Sequence, residues 1–376
     1  MSFVIVVAAL GGLPLLYLGL VVAWGEQSTR GLDYYARPVE GRRRYRRVLS
    51  VHRLLLAPLL WLLSRRLRFS FRAGSVVFGG MAAPKGSCSP HSLELGSRYQ
   101  PAAHDVFVVT QMRCGTTWMQ QIVYEILTRG RNDLAAAGRT LCEFSPWLES
   151  VNGVSLAAAP RIGQPPSRRM IKTHFPTSLC PYSDRARYVY VTRHPVSCFA
   201  SCVSFLNLNL REFAPRIEEI EAWFCSPHAM WWGTWPAHVR GWWQRAQQCD
   251  NVLFVCYEDL KRDLPAEVSR VAGFLGVPPL SPQELEQVLP HCSYSWMQSH
   301  AAVFEMHPPH LLRPDPAFFV SGRMDRYEDV PAELRQRIVS WCQAELADSG
   351  CPWERLFPEV TPGSEAESRS AVRCGM

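Results

Sequence analysis

Residues 106–127 constrain what this chain can become more than any other stretch. The segment opens on a short apolar run, 106–110, that reads as a buried strand. It closes on Met119, Ile122, Val123 and Ile126, spaced three or four apart as on one face of a helix. Between them lies Arg113-Cys114-Gly115-Thr116-Thr117. A strand, a glycine turn and a helix start make an anion cradle. The first N–H groups of a helix have no partner within it, and the helix dipole favours negative charge there. Gly115 permits close backbone approach, Thr116 and Thr117 add hydroxyl donors, and Arg113 adds a fixed positive charge. The loop is not the G-x-x-x-x-G-K-[ST] cradle of nucleoside triphosphates, because Gly115 has no glycine five residues earlier and no lysine after it.

Strand-like and helical patterns alternate after this loop. Residues 170–173, 188–192 and 252–257 read as strands. Residues 195–205 and 264–275 read as helices, the second with Pro265 in its first turn and Gly276 just past its end. Such alternation implies an α/β fold, a central parallel sheet with helices on its faces, and ligands at the C-terminal strand ends.

The candidate chemistry falls at those ends. The 170–173 strand runs into Lys172-Thr173-His174-Phe175-Pro176; a histidine can take a proton near neutral pH. The 188–192 strand is followed by Arg193 and, eight residues on, Ser201. A guanidinium and a helical hydroxyl at that spacing can clamp a phosphate. The 252–257 strand ends in Tyr257-Glu258-Asp259. Residues 233–243 carry Trp235, Trp242 and Trp243, read as core or as the wall of an apolar pocket, and His238, read as structural. His194 is also read as structural.

Together these segments resemble the sulfotransferase family over residues 106–346. Arg113-Cys114-Gly115-Thr116-Thr117-Trp118 is similar to the family's 5′-phosphosulfate loop, with arginine for its lysine and cysteine for its serine. Arg193 and Ser201 match its 3′-phosphate motif, and residues 172–176 match its Lys-Thr-His segment. The resemblance implies a P-loop-kinase-like fold and 3′-phosphoadenosine 5′-phosphosulfate as co-substrate. It implies a hydroxyl or amine acceptor, and no metal. It makes His174 the base, places Lys172 and Arg113 beside the transferring group, and gives Tyr257, Cys292, Ser293, Tyr294 and Met297 contacts to the nucleotide. The family's Arg-Lys-Gly loop is altered: Val320 and Ser321 stand at the cationic positions, leaving Gly322 and Arg323 for the 3′-phosphate. A non-catalytic nucleotide-binding scaffold therefore remains an alternative, and a small-molecule kinase is disfavoured.

Charge and hydropathy divide the chain further. Residues 1–25 carry no charged side chain, and 3–24 are long enough to cross a bilayer as one helix. Residues 30–72 then hold twelve arginines and two acids, so the chain's net charge of +7 leaves a balance of −3 for everything else. That asymmetry points to a membrane surface rather than to nucleic acid. By the positive-inside rule the body lies in the cytosol, with the Golgi lumen as the alternative. A second apolar run, 54–63, is too short to span; it suits an interfacial helix or a core helix equally. The expected organisation is an anchor over 1–29, a basic juxtamembrane segment and linker over 30–103, the catalytic domain over 104–358 and a disordered tail over 359–376. Thirteen scattered cysteines with no C-x-x-C pair suggest free thiols in a reducing compartment and give no zinc spacing. Nothing in the sequence fixes the oligomeric state.

Overall fold

Four parallel strands in the order β4-β3-β5-β6 form the central sheet of the computed structural model. The structure describes residues 2–29, 34, 37, 39–151, 155–165, 167–305, 308–314 and 326–357. The expected contacts of Gly322 and Arg323, and the tail 359–376, lie outside these. Two N-terminal helices, α1 (Ser2–Ser28) and α2 (Val39–Ser64), precede a short hairpin of β1 (Ser75–Phe78) and β2 (Met81–Pro84) and helix α3 (Pro90–Ser97). The sheet strands are β3 (Asp105–Thr110), β4 (Arg169–Thr173), β5 (Arg187–Thr192) and β6 (Val252–Cys256).

β3 is buried along its whole length, as its unbroken apolar run requires of a strand covered on both faces. Its side chains alternate between two cores. Phe107 and Val109 join Ile171, Tyr188 and Tyr190 on one face; Val106 and Val108 join Met170, Val189 and Val191 on the other. Helix α4 (Thr116–Thr128) packs on the second face through the four apolar positions read from the sequence. Helices α5 (Pro195–Leu210), α6 (Ile217–Phe224) and α7 (Trp235–Gln248) cover the first face. After β6 come α8 (Tyr257–Arg262), α9 (Leu264–Leu275), α10 (Pro282–His291) and α11 (Tyr294–Ser299); α9, α10 and α11 cover the second face. Helix α12 (Ala332–Leu346) closes the first. Tyr257 begins α8 rather than ending the strand, and α5 runs five residues further than its pattern predicts.

The chain leaves β3 to add β4 on one side, then crosses back to add β5 on the other. The crevice of such a sheet opens where the strand order reverses, at the C-terminal ends. The registers Val109↔Thr173, Thr110↔Val191 and Thr192↔Cys256 bring those ends to one edge.

Two expectations need correction. The stretch 74–103 is not a linker. Met81, Ala82, Ala83, Cys88 and Leu93 are buried in the first core, and a capping box at Ser89 and Ser92 starts α3. Its small residues are there because the hairpin packs tightly. Nor does the arginine-rich stretch, expected as a juxtamembrane segment, stand apart from the body. It is continuous with the 54–63 apolar run in one helix, α2, whose inner face carries Arg42, Tyr45, Leu49, Leu56 and Leu60. Arg42 and Arg46 turn toward the buried Glu305, which also accepts from the Tyr34 hydroxyl, and Arg53 pairs with Glu212 at 2.9 Å. Arg43, Arg44 and Arg47 stay exposed. Helix α1 lies against α2, with the Tyr17 hydroxyl 2.6 Å from His52 Nδ1 and Trp24 packed on Tyr45. Among the described residues one stretch, Glu40–Ser64, is long and apolar enough to cross a membrane.

Candidate active site

The strand ends surround one cavity of about 510 Å³. Arg113, Gly115, Thr116, Thr117, Trp118, Lys172, His174, Arg193, Ser201 and Tyr257 all line it, with Cys292, Ser293, Tyr294 and Met297. Residues from four strand ends and a distant helix pair thus meet in one place.

The loop after β3 turns through two left-handed residues, Arg113 at φ +65° and Gly115 at φ +102°. Gly115 has two reasons to be glycine. Its φ strains any other side chain, and a Cβ there would sit 2.8 Å from Tyr257 Cδ2. The start of α4 carries no side-chain cap. Uncapped N–H groups at the lip of a cavity suit an anion. Thr116 Oγ1 lies 2.6 Å from Thr110 Oγ1. Trp118 reaches across and donates from Nε1 to the Cys292 carbonyl at 2.7 Å, tying the loop to α11.

Arg113 donates from Nε to Ser201 Oγ at 3.2 Å, with its guanidinium over the Phe205 ring. Arg193 is buried, its guanidinium 4.4 Å from the Tyr257 ring centroid, and its Nε has no hydrogen-bond partner among the described residues. A buried cation with an unsatisfied donor is costly unless an acceptor completes it. An anionic nucleotide phosphate would. The bare Gly115 cradle and this orphaned donor both fit the nucleotide that the sequence motifs imply.

His174 is buried between the rings of Trp147 and Trp232. Its Nδ1 is 2.9 Å from the Thr110 carbonyl, which can only accept, so Nδ1 carries the proton and Nε2 keeps the lone pair. Its backbone N–H donates to Glu149 Oε1 at 2.7 Å, and Thr173 Oγ1 donates to Glu149 Oε2 at 2.8 Å. His238 Nε2 donates to the His174 carbonyl at 3.0 Å and its Nδ1 accepts from Tyr190. Burial holds His238 down to about 4, so it is a neutral support. Lys172 Nζ sits 3.6 Å from the Trp147 ring centroid. Burial lowers its pKa to about 7, against the opposing pull of Glu149. The same burial raises Glu149 despite its hydrogen bonds.

Some expected residues play other parts. Cys114 does not line the cavity. Its thiol turns into the core, 3.7 Å from Cys198 Sγ, because the strained turn points alternate side chains in opposite directions. The Cys292 side chain likewise enters the second core, leaving its carbonyl for Trp118. Ser293 Oγ caps α11 by accepting from the Trp296 N–H. Trp235 and Trp242 are core, donating to the carbonyls of Arg193 and Phe175. His194 is half-buried and held near 4 by desolvation and Arg193.

Other residues of the site and its support escaped the sequence reading. Trp147 and Glu149 lie on a loop with no periodic signal. Trp231 and Trp232 stand just before the tryptophans chosen from sequence, positioned by Gln111 Nε2, which donates to the Trp231 carbonyl. Lys261 lines the cavity four residues after Tyr257, near the Trp118 ring. One turn along α8 places it on the same face, a signal the spacing could have given.

A doubly wound sheet with an uncapped anion loop, two buried cations and an oriented imidazole is the site of a nucleotide-dependent group-transfer enzyme. The family model of the sulfotransferase domain matches residues 103–350, and the chain belongs to that family. It is a sulfotransferase that draws on 3′-phosphoadenosine 5′-phosphosulfate. Among curated relatives, 3-alpha-hydroxysteroid sulfotransferase of Cavia porcellus is 30% identical over 228 residues, 59% of this chain and 76% of that protein. Human sulfotransferase 2B1 is 28% identical over 240 residues, 62% of this chain and 64% of that protein. Among solved structures, retinol dehydratase with androsterone and the inactive cofactor PAP superposes with a TM-score of 0.59 at 20% identity, over 71% of this chain and 87% of that one. Mouse sulfotransferase SULT7A1 complexed with PAP gives 0.58 at 19% identity, over 74% and 95%.

Proposed function

We propose that this enzyme transfers the sulfuryl group to the hydroxyl of an apolar alcohol or phenol, with His174 as the general base. The observation that carries the reading is the 2.9 Å contact between His174 Nδ1 and the Thr110 carbonyl. The Nδ1–H is committed to that carbonyl, which leaves Nε2 as the proton acceptor in a cavity that also holds Arg113 and Lys172. As the acceptor oxygen bonds to sulfur, Nε2 takes its proton. The bond from sulfur to the 5′-phosphate oxygen breaks, and negative charge grows on that phosphate. Arg113, Lys172 and the start of α4 carry the positive charge that stabilises it. Arg193 and Ser201 hold the 3′-phosphate end. The acceptor side is walled by Trp147, Trp231, Trp232, Phe69, Phe205 and Leu210, which favours an apolar molecule with one hydroxyl. The hydroxysteroid in the name of the Cavia porcellus relative and the androsterone bound to retinol dehydratase agree with that class.

We further propose that α1 anchors the chain in a membrane with the catalytic body toward the cytosol. The supports are the uncharged stretch 2–25 of α1, the arginines that follow it, and twelve described cysteines that are all free. Protease protection of the body in sealed vesicles would reverse the orientation.

His174→Ala tests the chemistry. Turnover of a phenol with radiolabelled donor should fall by about 10² to 10⁴, with the dissociation constant for 3′-phosphoadenosine 5′-phosphate kept within a few fold. Turnover at the unsubstituted level would remove His174 from the role of base.

A further inference from the structure

We propose that a second cavity, between the α1–α2 pair and the body, is the vestibule of the catalytic cavity. It would hold the apolar part of an alcohol that arrives dissolved in a lipid bilayer. This deepens the acceptor reading above and rests on it.

The second cavity measures about 460 Å³. Its walls are Leu18, Val21 and Val22 of α1, Leu49 and Leu60 of α2, and Phe213 from the body, with Glu26 and Thr29 at one end. It is not remote from the chemistry. Pro308 and His310 line the catalytic cavity, while Pro309 and His310 line the second one. His310 thus borders both cavities.

The nature of the partition matters. His310 is exposed and lines both cavities. Desolvation, with Arg313 and Arg53 nearby, lowers its pKa to about 4, so the ring itself adds no charge to the partition at physiological pH.

The outer end of the vestibule meets an apolar exterior. Val22 forms part of its wall and is 42% exposed. On the same two helices, Leu16 and Leu20 of α1 and Leu54 and Leu62 of α2 each have more than half of their surface exposed. Exposed leucines on two adjacent helices suit contact with a membrane. At the inner end the acceptor walls Phe69 and Leu210 continue the same character toward His174. The track from the exposed helix faces toward the base is therefore mainly apolar, with Glu26 and Thr29 confined to one end of the vestibule. A freely dissolved phenol can come to the cavity from water and does not need it. An alcohol that partitions into lipid does.

The test uses the full chain in phosphatidylcholine vesicles. A diazirine-bearing sixteen-carbon alcohol in the bilayer should photolabel peptides spanning residues 18–29 and 60–63. Val22→Trp, which fills the vestibule from a partly exposed position, should cut both that labelling and the turnover of bilayer 1-hexadecanol by at least tenfold. Turnover of 4-nitrophenol should stay within twofold. Leu63→Trp serves as a second variant, and unchanged binding of 3′-phosphoadenosine 5′-phosphate certifies that each variant is folded. Label absent from both peptides, or hexadecanol turnover untouched in both variants, overturns the proposal. Wild-type turnover of 4-nitrophenol separately tests the hydroxyl-acceptor reading, since the loss of labelling in the two variants decides the vestibule even without turnover.

Discussion

Substituting Gly115 by alanine tests whether the anion loop is built around a missing side chain. At φ +102° an alanine carries backbone strain of about 1–3 kcal/mol. The new Cβ would also stand 2.8 Å from Tyr257 Cδ2, so about 0.6 Å must open to reach an ordinary 3.4 Å contact. The ring has little room to give way. Trp118 packs on it at 5.1 Å between centroids, and the Arg193 guanidinium lies 4.4 Å from its centroid. Any shift therefore displaces two groups that line the nucleotide cavity. Strain of that size should lower the melting temperature by about 2–4 °C per kcal/mol in a domain of this length. A misplaced loop and guanidinium should weaken binding of 3′-phosphoadenosine 5′-phosphate at least tenfold, roughly 1.4 kcal/mol. Calorimetric titration and thermal unfolding measure both. A cycle with Tyr257→Ala separates the causes, because removing the ring should relieve the steric part of the Gly115→Ala penalty and make the two changes non-additive. Wild-type affinity and melting temperature in Gly115→Ala would refute the argument that the loop needs a bare backbone.

Lys172 supplies a pH test. A group with a pKa near 7 is charged below that pH and neutral above it, so kcat/KM should carry a limb that falls as pH rises through about 7. Lys172→Arg, always charged, should remove that limb; an unchanged profile would exclude Lys172 as the charge that matters. Arg193→Ala should weaken binding of 3′-phosphoadenosine 5′-phosphate about 10- to 100-fold, the worth of one or two charge-assisted hydrogen bonds, and Arg193→Lys should recover only part of it. A dissociation constant unmoved in the alanine variant would place the 3′-phosphate elsewhere. Lys261→Met should raise the same constant by about 3- to 10-fold, since the lysine is only half buried and its charge is screened; no change would leave it a wall residue only.

Much of the architecture follows from local pattern. The apolar run of β3 and the three-to-four spacing of α4 are dictated by residues close in sequence, and each can be read without knowing its neighbours. Motifs at the ends of parallel strands must come together once the sheet forms, which is why His174, Arg193, Ser201 and the Gly115 loop share one cavity as their positions imply.

What sequence alone could not decide is how distant side chains treat one another. The meeting of Arg113 with Ser201, 88 residues apart, depends on how α5 packs over the sheet. The lowered pKa of Lys172 depends on burial under a loop carrying Trp147 and Glu149. Cys114 turns away because of a turn geometry that its residue type does not encode. Residues 74–103 look like a linker by composition, yet their small side chains allow a buried hairpin. Arg42 and Arg46 look like membrane-surface charge by composition, yet Glu305, more than 250 residues later, takes their positive ends. Pattern records the local propensity of a chain. Burial and charge pairing exist only between surfaces that folding brings into contact.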